Sequence, residues 1–151
     1  MKIIFVCHGN ICRSPIAEYL FLDMINKEGL TDKFIVSSRA TSQEEISNDI
    51  YPPAKRTLME HHIPFKRHYA TQISREEFIS SDYIIIMDES NRRYLKYLFP
   101  NDDFSHVYKL MSFANKTKDV SDPWYSGDFA SCYDDIKEGL EGLLNFLKSR
   151  L

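Results

Sequence analysis

Residues 6–15, VCHGNICRSP, bring a thiol (Cys7), a glycine (Gly9), an asparagine (Asn10), a second thiol (Cys12), an arginine (Arg13) and a serine (Ser14) into one short stretch that closes on Pro15. An apolar run, KIIFV, precedes it, and Ser-Pro is a helix opening. The stretch therefore reads as the loop between a first strand and a first helix. Such a loop aims several backbone N–H groups at one point, and the helix dipole adds roughly half a positive charge. Gly9 and Asn10 are residue types that tolerate the left-handed backbone this curl requires. Arg13 adds a planar fork of donors matched to two oxygens of a phosphate. The expected site is a concave, electropositive cradle for a tetrahedral oxyanion, formed by His8, Gly9, Asn10, Ile11, Cys12, Arg13 and Ser14. Cys7 stands at its floor, where the same amides favour thiolate over thiol and hold a nucleophile in line with phosphorus. Ser14 can donate a hydrogen bond to that sulfur. Taken alone, Cys7 could equally be a small buried hydrophobe at a strand end; the strand, the Gly-Asn pair and the Ser-Pro opening around it favour the nucleophile. Cys7 and Cys12 converge on one tight turn, so Cys12 is the expected redox partner of Cys7.

The elements that must position this loop follow from periodicity. Residues 2–6 form a strand, and Ile16, Leu20, Met24 with Ala17, Phe21, Ile25 recur at helical spacing until Gly29. KFIVSSRA is a second strand and PPAKRTLMEHH a short helix with prolines in its first turn. Ser74 and Glu77 have capping-box spacing before a further short helix. YIIIMD (83–88) reads as a strand buried on both faces. SNRRYLKYLFP is helical as far as Pro100, and HVYKL (106–110) is a strand. Residues 112–127 read as a polar loop carrying DPWY. The last helix runs from about Asp128 to Leu147, with Ile136, Leu140, Leu143, Leu144 and Leu147 on its apolar face. Strands alternate with helices. The expected fold is α/β, a three-layer, doubly wound parallel sheet of about four strands with helices on both faces and the phosphate loop after strand 1. In that architecture ligands sit outside the carboxyl ends of the strands, where residues 7–14 lie.

Length and composition narrow the class. The 151 residues suit a single domain, 1–151, and 43% hydrophobic with 27% charged residues is the balance of a globular protein. A net charge of −3 with both signs interspersed gives no duplex-coating basic stripe, so no nucleic acid partner is expected. No stretch approaches the ~20 apolar residues of a membrane span, and no lipidation signal is present, so no membrane partner is expected. Three cysteines make no disulfide framework and fit a reducing, cytoplasmic address. His61 and His62 point about 100° apart on a helix and make a poor metal pair, so neither metal nor cofactor is expected. A monomer or weak dimer is the expected assembly.

The stretch VCHGNICRSPIAE resembles the signature of the low-molecular-weight protein tyrosine phosphatases, in which Cys-x4-Cys-Arg-Ser forms the phosphate loop. SSRATS (37–42), HIPFKRHYATQI (62–73), MDESN (87–91) and DPWY (122–125) resemble further segments of that family, in order along nearly the whole chain. The resemblance implies a phosphatase of tyrosine-phosphorylated proteins and small aryl phosphates. It makes Cys7 the nucleophile, Arg13 the ligand of the phosphate and its transition state, and Asp122 the general acid, with no metal. It also implies that Asn10, Ser14, Ser38 and His68 hold the loop by hydrogen bonding, that Asp88 serves this network or a helix start, and that Trp124 and Tyr125 form a wall for the substrate ring. Some positions depart from the family's usual residues. His8 and Arg39 replace smaller or apolar residues, Trp124 stands where tyrosine or phenylalanine is usual, and His62 stands where a glycine commonly ends the helix. The nearest rival is a thiol-dependent arsenate reductase of the same fold, which needs two further neighbouring cysteines where only Cys132 remains. The second is a non-catalytic phosphoprotein-binding or redox module, against which stands the joint presence of nucleophile, arginine and acid.

Overall fold

The computed structural model describes all residues, 1–151. Its core is a four-stranded, all-parallel sheet built from β1 (Lys2–Cys7), β2 (Ile35–Ala40), β3 (Tyr83–Ile86) and β4 (Val107–Lys109), in the order β2-β1-β3-β4. Side chains alternate across a strand, and here the alternation divides the core in two. Ile3, Phe5 and Cys7 of β1, with Ile85, join α1 (Arg13–Lys27), α2 (Pro52–Glu60) and α6 (Phe129–Lys148) on one face. Ile4 and Val6, with Ile84 and Ile86, pack on the other face against Phe78 of α3 (Arg75–Ser80) and Leu95 of α4 (Glu89–Leu98). With both faces covered, β1 from Ile3 onward and β3 from Ile84 onward are buried apolar runs, as expected of parallel strands. This is the expected three-layer α/β arrangement.

The strand order explains where the site lies. From β1 the chain crosses to β2 on one side and later returns to β3 on the other, so the loop after β1 occupies the point where the direction of winding reverses. Register brings Cys7 opposite Ala40 and Val6 opposite Ile86, so the ends of β1, β2 and β3 converge there.

Local chemistry sets the helix ends. The Ser74–Glu77 capping box opens α3, and Asp88 with Asn91 forms a second one opening α4. The segment expected as an extended polar loop is more ordered than its composition suggested. A 3-10 turn spans Leu110–Ala114, and a four-residue helix, α5 (Pro123–Ser126), follows Asp122. Asp122 caps α5 and Pro123 supplies its first residue, two local signals that suffice for one turn. The 3-10 turn lies against α6 at Gly139 and Gly142, where a side chain would collide with Leu110 and with the Phe113 carbonyl.

Candidate active site

Cys7 ends β1, 3% exposed, and Arg13 opens α1, 2% exposed. Between them the chain curls through Asn10, whose φ of 62 is left-handed. Asparagine is one of the few residues with a β-carbon that visits this region readily. Cys12 is the N-cap of α1 and its side chain caps nothing, so the first-turn amides are not taken by a side chain. The Asn10 N–H donates to Cys7 Sγ at 3.3 Å, and Ser14 Oγ lies 3.1 Å from the same sulfur.

The hydrogen-bond directions around Asn10 follow from one fact: the Thr71 N–H can only donate, and it points at Asn10 Oδ1 from 3.1 Å. Asn10 Nδ2 therefore faces the two serines and donates to Ser14 Oγ at 2.8 Å and Ser38 Oγ at 2.9 Å. With its lone pair taken, Ser38 spends its own hydrogen on Glu18 Oε1 at 2.6 Å. Ser14 is left with its hydrogen for the Cys7 sulfur. His68 Nε2 lies 2.7 Å from the Asn10 carbonyl oxygen, so that nitrogen carries the proton. Burial pushes the His68 pKa down, which suits a neutral ring in this role. Of the residues expected to support the loop, Asn10, Ser14, Ser38 and His68 are thus gathered at it, and Asp88 reaches it through Arg13.

Arg13 is held from the side of β3 and α4. Its Nη1 donates to Asp88 Oδ2 at 2.7 Å and to the Val120 carbonyl at 2.8 Å, while Nη2 stands 3.5 Å from Asp122 Oδ2. Asp88 also accepts from the Asn91 N–H at 2.9 Å, so it caps a helix and braces the arginine at once. Burial opposes the charge on Arg13. The Cys7 sulfur and the Asp88 and Asp122 carboxylates more than offset this and hold its pKa above the ordinary arginine value. Burial likewise raises Asp88, but hydrogen bonds from Ser90 and Arg13 outweigh it and keep the carboxyl ionised below its usual range.

A cleft opens over Cys7. Its floor and sides are Cys7, His8, Gly9, Ile11, Cys12, Arg13 and Asp122; Trp124 and Tyr125 stand on one wall and Glu44 with Glu45 on another. Trp124 and Tyr125 are exposed, in keeping with a rim. His8 Nε2 meets Glu44 Oε2 at 3.0 Å. Arg39 turns away from the cleft to pair with Glu77 at 2.7 Å. The other two thiols, Cys12 and Cys132, are also buried. Burial pushes Cys12 well up and Cys132 up to about 12, and Cys132 lies in α6 within the same apolar cluster as Cys7.

Sequence reasoning missed Glu18, Tyr51 and Asp49. Glu18 lies four residues after Ser14 on α1 and so on the same helix face, a spacing that could have marked it. Burial raises the Glu18 carboxyl, against hydrogen bonding from Ser38. Asp49 braces the His68 segment: its Oδ1 accepts the His68 N–H at 3.0 Å and its Oδ2 pairs with Lys55 and Arg67. Nothing local in SNDIYPP announces Asp49 or Tyr51 as neighbours of the loop, because both arrive by tertiary approach.

A family model for the low molecular weight phosphotyrosine protein phosphatases matches residues 2–151. The chain is 35% identical over 146 residues to the low molecular weight protein-tyrosine-phosphatase YfkJ of Bacillus subtilis, across 95% of this chain and 94% of that one. The crystal structure of YfkJ superposes with a TM-score of 0.95 at 34% identity, across 99% of this chain and 96% of that one. DARP, a Drosophila arginine phosphatase, superposes with a TM-score of 0.88 at 28% identity, across 98% of each chain. Fold, loop and relatives coincide over the whole length of the sequence, and the chain belongs to the low molecular weight phosphotyrosine protein phosphatase family.

Proposed function

We propose that this phosphatase, acting as one domain over residues 1–151, hydrolyses phosphotyrosine in proteins through a phosphocysteine intermediate. The observation that carries the reading is the convergence of Cys7, Arg13 and Asp122 on one cleft. In the first step Cys7 Sγ attacks phosphorus, and the bond from phosphorus to the tyrosine oxygen breaks. Asp122 gives its proton to the departing oxygen, whose conjugate acid has a pKa near 10. In the second step the Asp122 carboxylate takes a proton from water, the water oxygen attacks phosphorus, and the S–P bond breaks with its electron pair returning to sulfur. The Ser14 hydroxyl, already aimed at that sulfur, stabilises the departing thiolate. Arg13 and the loop amides hold the equatorial oxygens, and because the phosphoryl transition state is loose, positioning and charge carry most of the catalysis. The residues in this scheme include no metal ligand and call for no cofactor.

Ile11, Trp124 and Tyr125 give the cleft flat apolar surfaces suited to an aryl ester. The three free thiols fit a reducing compartment such as the cytoplasm. Under peroxide, Cys7 passes to the sulfenic acid; Cys12 then attacks that sulfur, water leaves, and a disulfide closes that later thiols can reverse.

The test is a pH–rate profile on an aryl phosphate for wild type, Cys7→Ser and Asp122→Ala. Wild type gives a bell, Cys7→Ser gives no turnover, and Asp122→Ala loses the basic limb. A phosphoarginine peptide serves as comparator, since one structural neighbour is an arginine phosphatase. Turnover of that peptide in preference to a phosphotyrosine peptide refutes the aryl-ester reading, and full activity of Cys7→Ser refutes the mechanism.

A further inference from the structure

α5, which follows Asp122, has four residues, far too few to hold a helix in place by itself. The location of Asp122 must therefore come from tertiary contacts: Arg13 holds Asp122 and the Val120 carbonyl on one side, and on the other the contacts of Trp124 lead to Tyr51. The Trp124 N–H donates to Asp122 Oδ1 at 3.1 Å. The ring of Trp124 has one aromatic neighbour, Tyr51, at a centroid separation of 4.6 Å. Tyr51 also approaches Phe129, the first residue of α6, at 6.2 Å. At its backbone, Tyr51 belongs to the other half of the site: its N–H donates to the Ile11 carbonyl, in the phosphate loop, at 2.9 Å. Pro52 and Pro53 follow and fix the chain direction into α2. One residue thus bonds the nucleophile's loop through its backbone and the acid's loop through its ring.

We propose that Tyr51 is a positioning residue for the proton-transfer step, fixing the reach of Asp122 by tying Trp124 to the phosphate loop. The proposal rests on Asp122 being the acid. The Tyr51 ring packs behind Ile11 and Cys12 but does not itself line the cleft, and its bond to Ile11 is made by the backbone, which truncation of the side chain keeps. Its removal therefore leaves anion binding and sulfur attack in place and loosens the acid alone. The loss follows the leaving group. Phenolate departs poorly without a proton, whereas a dinitrophenolate departs unaided.

The experiment compares kcat/KM, which reads the steps up to phosphorylation of Cys7, on phenyl phosphate and on a dinitrophenyl phosphate. Tyr51→Ala is expected to lower the phenyl value by about two- to tenfold, the range an aromatic pair of this kind carries. The dinitrophenyl value and the inhibition constant of inorganic phosphate stay near wild type, and Tyr51→Phe, which keeps the ring, restores the phenyl value. In an Asp122→Ala background, Tyr51→Ala has no further effect. Trp124 is the only tryptophan, so its emission gives an independent readout. The emission shifts to the red and becomes more open to acrylamide quenching in Tyr51→Ala, and not in Tyr51→Phe. Should Tyr51→Ala not fold, Tyr51→Leu keeps the bulk without the ring and takes its place in every comparison. An equal fall on both esters, a fall that persists without Asp122, or an unchanged phenyl value overturns the proposal. If instead Asp122→Ala keeps full wild-type activity on phenyl phosphate, the acid reading itself fails, a result separable from any failure at Tyr51.

Discussion

Asn10→Ala should be among the most damaging single changes outside the sheet. Asn10 is fully buried, and its side chain makes hydrogen bonds to Ser14, Ser38 and the Thr71 N–H. After truncation each serine keeps one partner, Cys7 or Glu18, and loses a neutral bond worth about 1 kcal/mol. The Thr71 N–H loses its acceptor; Thr71 lies at the surface, so water can replace part of that bond and the loss is about 1 kcal/mol. The backbone adds a further cost. At φ 62, alanine lacks the local tolerance of asparagine and pays up to about 1 kcal/mol more. The sum is about 3–4 kcal/mol, a large share of the roughly 5–15 kcal/mol that stabilises a typical domain. Asn10→Gly separates the causes, since glycine loses the same side chain and accepts the same φ. Urea unfolding at neutral pH, with m-values compared, measures both. Glycine should retain roughly 0.5–1 kcal/mol over alanine. Losses below 1 kcal/mol in both variants would refute the accounting of the network. Equal losses would refute the backbone part of it.

Ser14→Ala leaves sulfur attack largely intact and slows breakdown of the phosphocysteine, so rapid-mixing assays should show a burst of phenol followed by a steady rate at least tenfold below wild type. Gly142→Ala places a β-carbon 1.9 Å from the Phe113 carbonyl oxygen, a clash with backbone that no rotamer relieves; urea midpoints should report a loss of about 3 kcal/mol or more. Asp88→Asn keeps a good helix cap and removes the nearer of the two carboxylate charges facing buried Arg13, at a cost of about 3 kcal/mol at neutral pH. The Asp88 pKa is held below its ordinary 3.8 in the fold, so its stabilisation is complete above that value and is lost as pH falls through the folded pKa. Urea curves from pH 7 to 3 should show wild type converging on Asp88→Asn only at the acid end; a gap that instead closes between pH 7 and 5 excludes this carboxylate as its source.

The parts of the molecule legible in the sequence are those written in local chemistry. The phosphate loop carried its own signals, because a left-handed Asn, a Ser-Pro opening and an apolar strand are all adjacent in the chain. Both buried strands and the face of α6 followed from periodicity, and Ile136, Leu140, Leu143, Leu144 and Leu147 are all buried as expected. What periodicity could not show is which distant segments meet: Glu18 under Ser38, Asp49 behind His68, Tyr51 against Trp124. Residue types at those positions are unremarkable until the sheet order brings them together.

His62 joins the two kinds of legibility. Sequence comparison with the family raised a left-handed cap at a residue with a β-carbon, and the structure has it, at φ 57. The Ile63 N–H bonds the Leu58 carbonyl at 2.9 Å and the His62 N–H bonds the Met59 carbonyl at 3.1 Å, the pair of a Schellman cap. Ile63 and Leu58 are both buried, which pins the cap and forces His62 to bear the strain. The His62 side chain is exposed and makes no hydrogen bond that its loss would sacrifice. His62→Gly should therefore stabilise the fold, by up to about 1 kcal/mol once glycine's greater freedom in the unfolded chain is subtracted. His62→Ala keeps the β-carbon and should give no such gain. Thermal unfolding of the two variants decides it: glycine at or below alanine would mean that the cap is not strained at His62, and that the chain has relieved the left-handed turn by a route other than the residue at its apex.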